Sequence, residues 1–389
     1  SEKYAGTHTV HGIPIGQEER DVVAKNLNWE HNPFVIPADI YEHFNKKSKT
    51  QKEIYDDWNE EKIKLKNEID NFFNREIIDV DESKIGDLIA GRDQSQYVIN
   101  QIAKSSKSFI GGSADLASSN KTKILDGTSI LLNGQNINFG IREFAMGTIL
   151  NGISLHSNLK VFGSTFLPFS HYFISPIRQA AMMKTNPIYV FTHDSILVGG
   201  DGPTHQPIEQ LMCLRMIPNI TVIRPGDANE VNEAWKFAIK NTNPTVLVFA
   251  RQDLMTYSKA NYIEENFKYG AFDVYKTNEF YEKIIIATGS EVNTAIDIAK
   301  SLSDSISIKV VSMPSIEIFE SQNDEYKNKL LNLSKKDIIS LEFGTTIGWS
   351  KYADTNIGVD QFGYSANAED ILKKLKLTNE DIKNIILNK

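Results

Sequence analysis

Imidazoles, guanidiniums and carboxylates gather in short stretches of this chain that are rich in Gly, Ser and Thr. They are GTHTVHG (His8, His11), AGRDQS (Arg92), GGSADLASSN (Asp115, Ser119), GIREFAMG (Glu143), THDS (His193), GGDGPTHQP (Asp201, His205) and FARQDL (Arg251). Neutral imidazoles near pH 7 move protons and donate to oxyanions, and a guanidinium fork grips a phosphate. A small phosphorylated substrate is the simplest inference. His156 and His171 sit among apolar neighbours and read as packing residues, unlike the four histidines in polar loops. Those four match neither HExxH nor a paired Cys/His site, so zinc is the weaker reading and no metal ligand is assigned. Glu143 opens an apolar helical run, FAMGTILNGISL, where a carboxylate either complements the helix dipole or does chemistry. Phe166, Phe169 and Tyr172 recur every three residues, and on a helix they share a face that is either core stripe or cofactor wall.

These clusters follow short apolar runs, SFIGGS, IYVFTHDS, ITVIRPGD and TVLVFARQ, each succeeded by a helical stretch. A second series follows in IIIATGSEV, IKVVSMPS and DIISLEFG, with a helical tail from about Ala368. Strands covered on both faces read as continuous apolar runs, and alternation with helices predicts parallel pairing. The expected fold is α/β, with two successive open, largely parallel sheets flanked by helices. Ligands of such sheets bind at the carboxyl ends of the strands, where most of the clusters fall. The opening to about Tyr41 reads as loop. From Lys46 to Arg75, Ile54, Trp58, Ile63, Leu65, Ile69 and Phe72 recur at helical intervals, predicting an interrupted amphipathic linker helix. The polar stretch Thr256 to Lys268 separates the two strand series. The domains expected are 1–45, 46–84 (linker), 85–255 and 256–389.

With 389 residues and 41% hydrophobic composition, the chain can bury more than one core. A net charge of -8 supplies no basic field, so nucleic acid and anionic membranes are not expected partners. No apolar run reaches the roughly 18 residues of a membrane span, and SEKYAGTHTV lacks a signal peptide's apolar stretch. A cytoplasmic protein is expected. Cys213, in LMCLRM, reads as a buried core residue.

In order and spacing, GGSADLASSN, GIREFAMG, the STF...F..Y segment, THDS, DGPTHQPIEQL and ARQ resemble the transketolase family over essentially the whole chain. The opening GTHTVHGIPIG is similar to the last stretch of that family's diphosphate-binding domain. On this resemblance most of that domain is expected to be missing, with the pyrimidine-binding domain and then the C-terminal domain following. The implied activity is transfer of a two-carbon ketol unit between sugar phosphates, in the pentose phosphate pathway, with thiamine diphosphate as cofactor. Glu143 is implied to hydrogen-bond the aminopyrimidine and favour the tautomer that removes the thiazolium proton. Phe166, Phe169 and Tyr172 are implied to wall the pyrimidine, with Asp115 and His8 also in the cofactor pocket. Arg92, Ser119, His193 and Arg251 match positions that hold the sugar phosphate, Asp201 one that reads a hydroxyl, and His205 and His8 imidazoles near the reacting carbonyl. Magnesium is expected to bind through a GDG...N motif in the missing part of that domain, Asp201-Gly202 in DGPTHQP belonging to a different motif. A homodimer is implied, with a separate diphosphate-binding subunit or a non-catalytic pyrimidine-binding role as alternatives. Deoxyxylulose-phosphate synthase and dihydroxyacetone synthase are related enzyme readings. Gly200, where the family commonly has Glu, and Asp253, where it often has Asn, are departures beside the substrate positions.

Overall fold

The computed structural model describes residues 1, 3–74 and 80–387. They divide into two compact units, Ser1–Asp70 and Asn71–Lys389.

In the N-terminal unit, helices Gly16–Asn26 and Ala38–Lys64 bury none of their residues. The expected loop to Tyr41 is therefore corrected: a helix forms over GQEERDVVAKN, and the next starts at Ala38. Acidic Glu18 and Glu19 in the first turn and Lys25 in the last complement the helix dipole, although the stretch has too few apolar residues to show periodicity. The expected interruption lies at Leu65, before helix Lys66–Phe73, which crosses the unit boundary. Residue 75, where the linker helix was expected to end, lies outside the described residues.

The second unit carries strands β1 (Leu88–Ala90), β2 (Phe109–Ser113), β3 (Asn136–Asn138), β4 (Lys160–Phe166), β5 (Ile188–Thr192), β6 (Thr221–Ile223), β7 (Thr245–Phe249) and β8 (Asp253–Met255). Then come β9 (Phe272–Lys276), β10 (Lys283–Ala287), β11 (Ile308–Ser312), β12 (Ile338–Leu341) and β13 (Thr355–Ile357). The first sheet, ordered β3-β2-β4-β5-β7-β6, is parallel throughout. In the second, ordered β13-β12-β10-β11-β9, only β9 runs antiparallel. The α/β class and its two largely parallel sheets are as expected. A small antiparallel pair, β1 with β8, brings the chain before and after the first sheet together.

Alternating residues of the first sheet enter separate cores. Phe109, Phe162 and Phe249 pack around Trp235 on one face, while Val161, Tyr189 and Phe191 meet Met146, Leu150 and Phe173 on the other. Helix Glu143–His156 covers the second face, but its outer side is not covered, and His156 ends it exposed. His171 is also exposed, near Glu209. Neither is the packing residue expected: adjacent Leu155 and Tyr172 are themselves exposed, so apolar neighbours in sequence do not bring these histidines into a core. Cys213 is half-buried rather than buried.

The two sheets are joined at their carboxyl edges by a buried guanidinium. Arg224, just beyond β6, donates to Asp194 beyond β5 at 3.0 and 2.7 Å, and to Thr288 Oγ1 beyond β10 at 2.8 Å. It also pairs with Glu291 at 2.5 Å and with Ser290 Oγ at 3.1 Å. Glu342, beyond β12, takes Arg215 in a two-pronged pair at 2.8 and 2.9 Å and Trp349 Nε1 at 3.1 Å. Burial would raise the Glu342 carboxyl, but Arg215 and Arg224 outweigh it and hold it near 2. Removing one member of a buried ion pair strands the rest in a poor solvent. Arg224→Leu is expected to lose about 3–5 kcal/mol in urea denaturation, or to prevent folding; a loss below about 1 kcal/mol would deny the network that role.

Candidate functional site

Parallel strands end at one edge, so β2, β4, β5 and β7, adjacent in the sheet, deliver their following loops side by side. The register aligns Ser113 with Ser164, Phe166 with Thr192, and Thr192 with Phe249. The chain reverses its direction of winding between β2 and β4, the kind of switch point where open α/β sheets form crevices.

A cleft of about 480 Å³ opens there, lined by Arg92, Ser119, Phe166, His193, Asp201, His205 and Arg251, with Leu116, Ser118 and Lys121. All the residues matched to substrate binding are thus brought together. Arg92 is the second residue of the helix Gly91–Ser105 after β1; its Nη1 donates to the Ser119 carbonyl at 2.9 Å, while its buried Nε has no hydrogen-bond partner among the described residues and lies 3.9 Å from Asp93. Lys121 was not singled out from the sequence, although it directly follows GGSADLASSN. It takes a left-handed backbone, φ 57°, and its ammonium lies 3.3 Å from Asp93. Arg92, Lys121 and Arg251 against Asp201 leave the cleft positive, which suits a phosphate.

Burial first, then the positive charges of Arg92, Arg251 and His205, push the His193 imidazole down to about 3. It is neutral at physiological pH. Its ring lies against Phe166, with centroids 3.7 Å apart.

The aromatic spacing of three is realised by a 3-10 helix, Leu167–Tyr172, in which residues i and i+3 stand above one another. Phe166 and Phe169 stack at 5.7 Å, Tyr172 follows at 6.4 Å, and His205 meets Phe169 edge-on at 5.3 Å. Glu143, first residue of its helix, accepts from Thr165 Oγ1 at 3.2 Å, one residue before Phe166. Asp115, on the loop after β2, is exposed and is not among the cleft's lining residues. His8 belongs to the N-terminal unit, directly before the short helix Thr9–His11 and with no side-chain capping bond to it, and is exposed there.

The loop Ile196–Asp201 and the turn Pro203–His205 carry Asp201 and His205 to the cleft. Gly202 sits at φ +81°, a conformation that side chains resist, whereas Gly200 is not in that region and a Cβ there meets nothing within 4 Å. Asp253, the other departure, pairs with Ala90 across β8 and β1 and acts electrostatically on Arg92.

Three family descriptions match successive parts of the chain: the transketolase thiamine diphosphate binding domain over residues 1–77, the transketolase pyrimidine binding domain over 87–256, and the transketolase-like C-terminal domain over 270–378. The chain belongs to the transketolase family. It is 42% identical to the transketolase of Bacillus subtilis, over 95% of this chain and 59% of that protein. The crystal structure of the Campylobacter jejuni transketolase superposes with a TM-score of 0.89 at 31% identity, over 100% of this chain and 61% of that one. A Pichia stipitis transketolase solved in complex with sedoheptulose 7-phosphate gives 0.83 at 34% identity, over 93% of this chain and 57% of that one. The chain thus spans about three-fifths of the length of these relatives. The expectation that most of the diphosphate-binding domain is missing is not supported, since that domain is matched over residues 1–77.

The glycine geometry makes a direct prediction. Gly200→Glu, which restores the carboxylate common in the transketolase family, is expected to change folding stability by less than about 0.5 kcal/mol. Gly202→Ala, at φ 81° and ψ -175°, is expected to cost about 1–3 kcal/mol. Urea denaturation of both variants checks this ordering.

Proposed function

We propose that this chain takes part in transfer of a two-carbon ketol unit from a ketose phosphate to an aldose phosphate, with thiamine diphosphate as cofactor. The observation that carries the reading is the convergence of Arg92, Ser119, His193, Asp201, His205 and Arg251 on one cleft beside the Phe166 and Phe169 rings.

The donor set fits the pyrimidine end of the cofactor. Stacked rings offer a flat apolar wall, and Glu143 has one oxygen held by Thr165 and, among the described residues, no hydrogen bond to the other. Bound thiamine diphosphate supplies the electron sink that makes a ketol unit transferable. In this reading Glu143 holds a proton shared with the pyrimidine ring. Phe166, Phe169 and Tyr172 orient that ring and exclude water. His205, against Phe166 and Phe169, donates to the developing oxyanion and moves its proton. Arg92, Ser119, His193 and Arg251 set the register of the substrate by its phosphate, and Asp201 accepts from a hydroxyl.

Magnesium is proposed as the companion of the diphosphate. Among the described residues no three His, Cys, Asp or Glu side chains converge to hold it, so none is assigned and no step depends on one. A homodimer is also proposed: Phe144, Ile149 and Leu155 stand exposed on the helix that Glu143 begins, and Ile141 precedes them. Apolar surface of this kind marks an interface. No helix among the described residues is long and apolar enough to cross a membrane, and a cytoplasmic location remains the expectation.

The roles separate experimentally. Glu143→Gln is expected to lower ketol transfer by about 10²- to 10⁴-fold while leaving the unfolding transition unchanged. Wild-type turnover in that variant would overturn the assignment. Arg251→Ala removes a charged donor, so it is expected to weaken phosphorylated substrates by about 1.5–3 kcal/mol and unphosphorylated analogues far less. Equal losses for both substrate types would remove phosphate recognition from Arg251.

A further inference from the structure

Asn120 and Thr192 belong to motifs at the cleft but have no part in the function above. Together with Ser113 they set the proton positions of a buried hydrogen-bond chain. Ser113 donates its hydroxyl proton to the Ser164 carbonyl at 3.0 Å, and a carbonyl can only accept. The Ser113 oxygen is thereby left to accept, and it takes Asn120 Nδ2 at 2.9 Å. This orients the Asn120 amide so that Oδ1 faces Thr192, whose hydroxyl donates to it at 2.6 Å. A hydroxyl has one proton, so Thr192 Oγ1 must accept from its remaining partner, His193 Nδ1, at 2.8 Å. Ser113, Asn120, Thr192 and His193 are all at least 97% buried, so solvent does not compete for these bonds.

With its proton committed to Nδ1, the neutral ring keeps a lone pair on Nε2. We infer that His193 offers the cleft an acceptor rather than a donor, and that the cleft therefore takes up one proton with each phosphate dianion, shared between Nε2 and a phosphate oxygen. Ser113, Asn120 and Thr192 are the positioning residues. The inference rests on reading this cleft as a phosphate site. Arg92, Lys121, Arg251, His205 and Asp201 line the cleft with His193, while Asp194, next in the chain, is paired with Arg224. The positive neighbours, on top of burial, keep the free ring unprotonated at neutral pH. A dianion cancels part of their field and lets the proton in. A phosphate monoester has its second pKa near about 6, so the proton comes from solvent above that pH and arrives with the ligand below it.

Isothermal titration calorimetry of the full chain with ribose 5-phosphate, in two buffers of different ionisation enthalpy, counts the protons. Uptake close to one per ligand is expected at about pH 8, where the ligand is a dianion, and close to zero at about pH 5. His193→Gln offers an amide donor that does not titrate; it is expected to bind and to lose most of the uptake at the higher pH, while His205 remains as the internal control. Thr192→Val removes the acceptor that fixes the tautomer and is expected to lower the uptake. Nitrogen NMR of the unaltered, ligand-free protein reads the tautomer even where that variant fails to fold, and the proton is expected on Nδ1. Binding at the higher pH without proton uptake, or a resting Nε2–H tautomer, overturns the inference while the phosphate reading stands. Absence of any saturable ribose 5-phosphate binding overturns the phosphate reading itself.

Discussion

A guanidinium wholly removed from water persists only where carboxylates and hydroxyls replace every bond it has lost. Arg224 meets that condition by taking partners from both sheets: Asp194 from the first, and Thr288, Ser290 and Glu291 from the second. Each partner lies just beyond the carboxyl end of a parallel strand, so the network forms only when the two sheets present those edges to one another. Burial raises the Glu291 carboxyl even against the opposing pull of Arg224, a sign of how little solvent remains there. An ion pair of this kind contributes little net stability compared with an apolar substitute, but its geometry is demanding. It fixes the relative setting of two sheets whose own cores are separate.

The edge that carries the cleft inherits that setting through β5. Thr192, His193 and Asp194 are consecutive, and each side chain is committed to a different neighbour: Asn120, the cleft and Arg224. Ser195 then caps the loop leading to Asp201, accepting from Leu197 N at 3.3 Å. The joint, the cleft and the loop to Asp201 therefore share one strand end. The motif THDS is divided between holding the two sheets together and lining the cleft rather than devoted wholly to either.

The inner strands were legible because burial on both faces leaves continuous apolar runs, as in Ile188–Thr192 and Lys283–Ala287. The three-residue strands β1, β3, β8 and β13 leave no such signal, since pairing rather than composition makes them strands. The cleft residues were legible because polar groups at strand ends have few structural reasons to be there. Arg224, Glu291 and Glu342 were not, because a sequence does not tell which charges will lose their water. IRPGD and ATGSE read as ordinary strand ends until Arg224 is found inside, with Asp194 and Glu291 against it. His156 and His171 escaped for a related reason: apolar neighbours such as Leu155 and Tyr172 do not imply burial, and both are exposed. The hydrogen-bond directions at Asn120 and Thr192 needed coordinates altogether, since they follow from the Ser164 carbonyl on a neighbouring strand.

His193 itself carries the clearest mark of constraint. It is a non-glycine residue at φ 62°, in the left-handed region, where strain is of order 1–3 kcal/mol and survives only if the surroundings over-determine it. Those surroundings are now identifiable. Thr192 on one side is held by the Asn120 amide, and Asp194 on the other by Arg224, so the backbone between them has little freedom to relax. Phe166 closes against the ring from the next strand and leaves the imidazole one orientation. The placement of a single nitrogen at the cleft thus depends on a guanidinium that never touches the cleft, because loss of Asp194's partner would release the strain at the residue beside it.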